Sequence, residues 1–198
     1  MHKLAWIIII FFILIISGCS DNENKNIDDE DSQIICNDID NLMNNLQDFA
    51  KQNGIELKNP NVFYQKSEKQ GKIKFYNVGL SGTEGNYIEC WINEDNSVNN
   101  VLIDVSNTFE DGQKAGMMIG AIFYNIGFNE EEYSNFWKEY ISYVNDILKE
   151  QDGSTPVKID KTFHCYCSKV NKMIILRVTE NPDRCQFFIR AAKSSTEN

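Results

Sequence analysis

The residues able to do chemistry are few, and their spacing limits what they can do. His164 and Cys165 are adjacent, the residue types that a thiol nucleophile and its general base require. In an extended strand, neighbouring side chains leave opposite faces, so this imidazole and thiol cannot meet without a bulge. The other histidine, His2, lies at the extreme N-terminus. A multi-histidine zinc centre therefore lacks its ligands, and no second imidazole is available for acid–base pairing. No G-x-S-x-G elbow, P-loop or G-x-G-x-x-G fingerprint occurs, so no cofactor is expected. The 29 Asp and Glu residues leave a carboxylate-based hydrolase open as one function, because sequence does not reveal which carboxylates converge. The densest acidic run, Asp28-Asp29-Glu30-Asp31, lacks the glycine and the ligand spacing of an EF-hand loop and is not expected to hold a metal.

Six cysteines occur, at positions 19, 36, 90, 165, 167 and 185. Cys165 and Cys167 are two apart in a strand and share its apolar face with Val157, Ile159 and Phe163. With turns at Val170-Asn171-Lys172 and Asn181-Pro182-Asp183, Cys165 and Cys185 are expected roughly level but separated by an intervening strand, about 9–10 Å apart and too far to bridge. Most of these thiols are expected to behave as small buried hydrophobes. Cys36, in the least constrained stretch, is the first choice for any bridge.

The positive signal for binding is the other side of the same strands. Opposite the apolar positions lie Tyr87, Glu89 and Trp91 in one run and His164, Tyr166, Phe188 and Arg190 in the others. Large aromatics with polar tips are what a recognition surface requires. A sheet packed against a loop or a second sheet would carry the same residues.

The N-terminus places the chain. His2 and Lys3 lead into the uninterrupted apolar run Leu4–Ile16, followed at once by Ser17-Gly18-Cys19 and an acidic stretch. This run is too short to span a bilayer, which takes about 20 residues, and has the length of a secretory h-region. The segment Ile16-Ser17-Gly18-Cys19 resembles the lipobox of bacterial lipoproteins, with Ile16 where that family most often has Leu. The resemblance implies a signal peptide over 1–18, cleavage before Cys19, and acyl chains on Cys19 that anchor the protein to a membrane of the bacterial cell envelope, its domain on the extracytoplasmic side. Two or three acyl chains hold stably where one would be marginal. Cleavage would also remove Lys3 and leave a net charge of -11 in place of -10. Residues 19–33 then form the lipidated cysteine and an acidic tether in which Ile27 is the one large apolar residue before its end, too few to bury.

Residues 34–198 carry the patterning of one folded domain. Ile39, Leu42, Met43, Leu46, Phe49 and Ala50 recur at helical spacing and predict a helix over about 38–52. Lys72–Leu80, Tyr87–Ile92 and Val98–Val105 read as an antiparallel meander, with a short strand at Val62–Gln65 as a further candidate. Thr108 and Asp111 have capping-box spacing and open a helix to about Asn125, along which Gly112, Gly116 and Gly120 make a smooth seam for close packing. Asn129 and Glu132 open the next helix, with an apolar stripe from Tyr133 to Leu148 that includes Trp137. Three more strands follow, at Val157–Lys169, Met173–Thr179 and Cys185–Ala191. The fold class is α+β, antiparallel meanders with packed helices in the order α-βββ-α-α-βββ. Two αβββ units fit either a duplicated architecture or one continuous sheet with helices on one face; no residue-level repeat supports duplication.

With 42% hydrophobic and 24% charged residues, the chain is ordinary globular material. Its acidity argues against nucleic acid and anionic membrane surfaces as partners. The expected function is that of a noncatalytic lipoprotein whose domain binds a protein or other ligand outside the cytoplasm, or supports an envelope assembly. An inhibitor or immunity-type lipoprotein that neutralises an exported enzyme through an acidic face is the alternative, beside the hydrolase.

Overall fold

The computed structural model describes residues 34–67, 71–150 and 159–192. The signal peptide and tether expected over 1–33 lie outside the described residues. Ten elements follow in order: α1 (Ile39–Gln52), β1 (Asn61–Ser67), β2 (Gly71–Gly79), β3 (Tyr87–Ile92), β4 (Val98–Ser106), α2 (Phe109–Ile126), α3 (Glu130–Glu150), β5 (Ile159–Cys167), β6 (Lys172–Glu180) and β7 (Arg184–Ala191). The fold is α+β, as the patterning predicts, but the first meander has four strands and the order is α-ββββ-αα-βββ. The candidate strand at Val62–Gln65 is a full strand, β1, flanked by Pro60 and polar residues that weaken its signal.

All seven strands form one antiparallel sheet in the order β1-β2-β3-β4-β7-β6-β5. Helices α2 and α3 carry the chain from β4 to the far edge, and the second meander returns so that β7 pairs with β4. One continuous sheet, and not two separate αβββ units, is the architecture.

The helices begin and end where their local chemistry dictates. Asp38 caps α1 by accepting from the Asp40 amide at 2.9 Å, and Ile39, Leu42, Met43, Leu46 and Ala50 turn one buried face to the core. Asn129 and Glu132 complete a reciprocal capping box at the start of α3: each side chain accepts from the other's backbone amide, at 2.9 and 3.0 Å. The pair at α2 is only half a box. Thr108 accepts from the Asp111 amide at 3.3 Å, but the Asp111 carboxylate turns away to accept from the Ser106 hydroxyl and the Thr83 amide. It is 2% exposed and pins the 81–86 turn to the start of α2. Burial raises the affinity of this carboxyl for a proton, but the donors of Ser106 and Thr83 outweigh it and hold Asp111 well below the usual carboxylate range. Gly82, at φ +127°, lies against Asp111, and a Cβ there would overlap the carboxylate.

The glycine seam of α2 receives α3. Tyr133 lies over Gly120 and Trp137 over Gly116, and the Tyr133 hydroxyl donates to the Gly116 carbonyl at 3.3 Å. Phe123, Phe128, Phe136, Tyr140 and Phe163 continue the aromatic packing between the helices and β5. Ile88, Cys90, Val101, Ile103, Val105, Ile174, Leu176, Val178 and Ile189 meet the helices from the sheet, and all of these belong to a single core.

The cysteines of the domain are free. Cys165 and Cys185 are not level, contrary to the expectation above: Cys165 pairs with Ile174, which pairs with Ala191, whereas Cys185 stands opposite Glu180 and Ile159. Successive turns of a meander lie at opposite ends of the sheet, so a cysteine just before one turn and a cysteine just after the next are a strand length apart. Cys36 forms a bridge pair with Val98, which pairs in turn with Ile92.

Candidate binding face

The sheet has two faces, and the three helices pack on one of them. The strand register sets the composition of the other. Directly opposed residues form one transverse row, Phe63–Phe75–Trp91–Asn100–Arg190–Ile175–His164, that crosses all seven strands. The next row contains Asn77, Glu89, Leu102, Phe188, Arg177 and Thr162. All seven residues singled out from the sequence, Tyr87, Glu89, Trp91, His164, Tyr166, Phe188 and Arg190, lie on this face.

Four rings form a ladder over the β1 side of this face. Phe63 stacks on Phe75 with centroids 5.1 Å apart, Phe75 meets Trp91 edge-on at 5.7 Å, and Trp91 meets Phe188 edge-on at 5.5 Å. These separations are those of favourable aromatic pairs. The ladder leaves Phe75 buried, while Phe63 stays 37% exposed. Leu102 and Ile175 are half-buried beside it, and Met173 and Tyr166 continue the exposed apolar surface toward β5.

Polar tips are fixed among the rings. Glu89 accepts from the Trp91 indole at 3.0 Å and from the Asn77 amide at 3.5 Å. Asp104 accepts from Tyr87 at 3.3 Å, Gln186 at 2.8 Å and the Arg184 Nε at 2.7 Å. Burial, together with the charges of Asp104 and Glu89, pushes the Tyr87 hydroxyl up to about 12. Arg177 grips Asp160 with two bonds of 2.9 Å. The Tyr166 hydroxyl donates to Asn171 at 2.6 Å.

The chain has three arginines, Arg177, Arg184 and Arg190, and all three lie on this face. Two are matched by Asp160 and Asp104. Arg190 is exposed and, among the described residues, has no carboxylate partner. Arginine beside rings is the composition of interface cores, since a planar guanidinium forks onto carboxylates and stacks on aromatic faces.

His164 and Cys165 point to opposite faces of β5: the imidazole is exposed and the thiol is buried in the core. Burial pushes the thiols of Cys90 and Cys165 up to about 12, far from the thiolate that a nucleophile requires. Among the described residues no three His, Cys, Asp or Glu side chains gather to hold a metal. A shallow depression of about 370 Å³, lined by Gln47, Lys51, Gly54, Ile55, Glu56 and Leu57, contains a single carboxylate. No helix among the described residues is long and apolar enough to cross a membrane.

Reading by sequence alone misses Phe63, Phe75, Leu102, Ile175, Arg177 and Arg184. For Leu102, Ile175, Arg177 and Arg184 the available signal is parity: each alternates with core positions in its strand, and the arginines occur nowhere else, whereas Phe63 and Phe75 carry no such signal, since β1 is exposed throughout 61–65 and Phe75 is itself buried. It also misses that Lys58, Lys66, Lys72 and Lys74 fall on and beside the β1–β2 hairpin, a local basic stretch that the acidic total hides. Comparison with known protein families, curated proteins and solved structures finds no match to this chain.

Proposed function

We propose that the chain is an exported, lipid-anchored protein that binds another protein through the uncovered face of its sheet. The observation that carries this reading is the concentration of the four-ring ladder and all three arginines on the one sheet face that no described helix covers. The lipobox-like N-terminus supports an anchor at Cys19 and a partner on the extracytoplasmic side of the bacterial envelope. The role is noncatalytic: the aromatic and charged groups are held rigidly across a broad surface and not gathered into a cleft.

The chemistry of the partner follows from the face. An apolar patch of the partner lies on Phe63, Phe75, Trp91, Leu102 and Phe188, and a carboxylate of the partner meets Arg190. The face itself is balanced, with Glu89, Asp104 and Asp160 against Arg177, Arg184 and Arg190, so affinity comes mainly from ring and apolar contacts and specificity from the guanidinium.

Site-specific photocrosslinking in the producing cells tests this reading. A photoreactive residue in place of Leu102 or Ile175 is expected to give one dominant protein adduct, and the same group at Lys138 or Ser142 on the exposed side of α3 is expected to give none of it. Equal adducts from both sides of the domain, or none from the sheet face, would refute the reading.

A further inference from the structure

The two edges of the sheet are finished differently. At one edge, β5 carries Asp160, Lys161 and His164, and its apolar side is sealed by α3 through Phe163. At the other edge, β1 is exposed on both faces over 61–65, with Val62 45%, Phe63 37% and Tyr64 56% accessible. The strand contains no proline. Apolar edge strands left in this state are templates for pairing with another chain, and charge, proline or cover is what normally prevents it.

The sequence of the edge states which chain. Asn61-Val62-Phe63-Tyr64-Gln65 is chemically symmetric about Phe63: an amide, an apolar residue, Phe63, an apolar residue, an amide. We propose that two copies of the chain pair antiparallel through β1 about a two-fold axis at Phe63, joining their sheets edge to edge. In this register Asn61 meets Gln65 of the other copy, Val62 meets Tyr64, and the two Phe63 rings meet at the axis. Isologous pairing of this kind requires a self-complementary patch, and this register supplies one. The Phe63 ring already stacks on Phe75 within 8° of parallel, so pairing joins the two four-ring ladders across the axis into one ladder of eight rings. Shifting the axis by one residue to Tyr64 would set Phe63 against Gln65 and Val62 against Lys66. The Phe63 register instead sets Lys66 opposite Pro60 and keeps the Lys66 positions of the two copies apart, at opposite ends of the seam.

This pairing stands independently of the partner assigned to the open face. Seven residues a side is small beside the roughly 1,200–2,000 Å² of a standard interface, so the dissociation constant is expected in the micromolar range, about 1–100 µM. Two chains anchored in one membrane would meet at a higher effective concentration than in solution.

The test uses the full chain in detergent solution at about 0.15 M salt, where long-range repulsion between acidic chains is screened. Sedimentation velocity is expected to show a concentration-dependent monomer–dimer equilibrium, and Val62→Lys is expected to raise its dissociation constant at least about tenfold. Under mild oxidant, Phe63→Cys is expected to form an interchain disulfide above the background of the unsubstituted chain, because directly opposed antiparallel Cα atoms are about 4.5–5.5 Å apart. Gln65→Cys is expected to stay at background, since its two copies lie four residues apart along the seam, roughly 13 Å. Circular dichroism checks that each variant is folded, and Val62→Lys, at an exposed position, carries the test if Phe63→Cys is not. A monomer up to about 200 µM, equal crosslinking at positions 63 and 65, or a dimer indifferent to Val62→Lys would overturn the proposal. Capture of a strand from a different protein by a chain that stays monomeric would overturn it equally.

Discussion

Alanine substitution along the α2 seam should give opposite signs at neighbouring turns. Glycine inside a helix costs about 0.5–1 kcal/mol relative to alanine, so each replacement starts with that gain. A Cβ on Gly112 meets nothing within 4 Å, and one on Gly116 meets Trp137 ring carbons at 3.6 and 3.7 Å, ordinary contact distances. Gly112→Ala and Gly116→Ala should therefore stabilise by about 0.5–1 kcal/mol each. At Gly120 the Cβ would lie 2.7 Å from the Tyr133 hydroxyl oxygen and 3.1 Å from Cζ. Tyr133 cannot swing aside freely, because its ring lies edge-on to Phe123 at 5.9 Å and to Trp137 at 6.0 Å. Overpacking of this kind costs about 1–3 kcal/mol and exceeds the helix gain, so Gly120→Ala should destabilise by about 1–2 kcal/mol net. Urea unfolding followed by far-ultraviolet circular dichroism reads the three midpoints on one scale. Adding Tyr133→Phe to Gly120→Ala removes the shortest overlap and should recover at least about half of the loss. If Gly120→Ala stabilised as Gly112→Ala does, or if Tyr133→Phe recovered nothing, the packing of α3 into the seam would be wrong.

Asp111→Asn should cost about 2–4 kcal/mol, because Ser106 and Thr83 donate to one oxygen of a buried carboxylate, and the neutral amide that replaces it loses the charge that strengthens both bonds and sets a donor or a weaker acceptor beside Lys114. The folded-state pKa of Asp111 lies below its unfolded value, so its contribution is fully present above about pH 4 and is lost as pH falls through the folded value; thermal unfolding from pH 7 to pH 2 should show a shallower acid loss in the variant, and an unchanged acid limb would count against it. Trp137→Ala, which strips contacts to Tyr133, Phe136 and Tyr140, should cost about 3–5 kcal/mol, whereas Trp91→Ala should cost less than half as much; equal losses by urea unfolding would mean that the Trp91 face is packed and not available to a partner. Cys19→Ala should abolish incorporation of labelled fatty acid and leave the precursor uncleaved before position 19, and equal label in both chains by mass spectrometry would remove the anchor.

Helices were legible where a cap and a period agreed. The Asn129–Glu132 box and the stripe after it locate α3, and Asn53-Gly54 closes α1 with a glycine at φ +68°. The Thr108–Asp111 spacing marks a helix start but not the chemistry of the pair, because Ser106 and Thr83 reach the carboxylate through the fold and leave no local mark. Strand alternation sorted Tyr87, Glu89, Trp91, His164, Tyr166, Phe188 and Arg190 to one side of their strands. That they share one face of one sheet depends on β7 docking against β4, a pairing of residues some 80 positions apart. Phe63 and Phe75 stayed hidden for a related reason: their value lies in cross-strand neighbours, and a strand as exposed as β1 has no buried face to impose alternation on its sequence.

The open face of the sheet is the proposed binding surface, and the affinity of the crosslinked partner tests it most directly. That protein, identified from its adduct and purified, should be titrated against the unsubstituted chain, Arg190→Glu and Trp91→Ala, each first shown to be folded. Loss of at least about tenfold in affinity for each variant is predicted, since a ring and a guanidinium near the centre of an interface carry energies above about 1.4 kcal/mol. Unchanged affinity in both folded variants would contradict the assignment of this face.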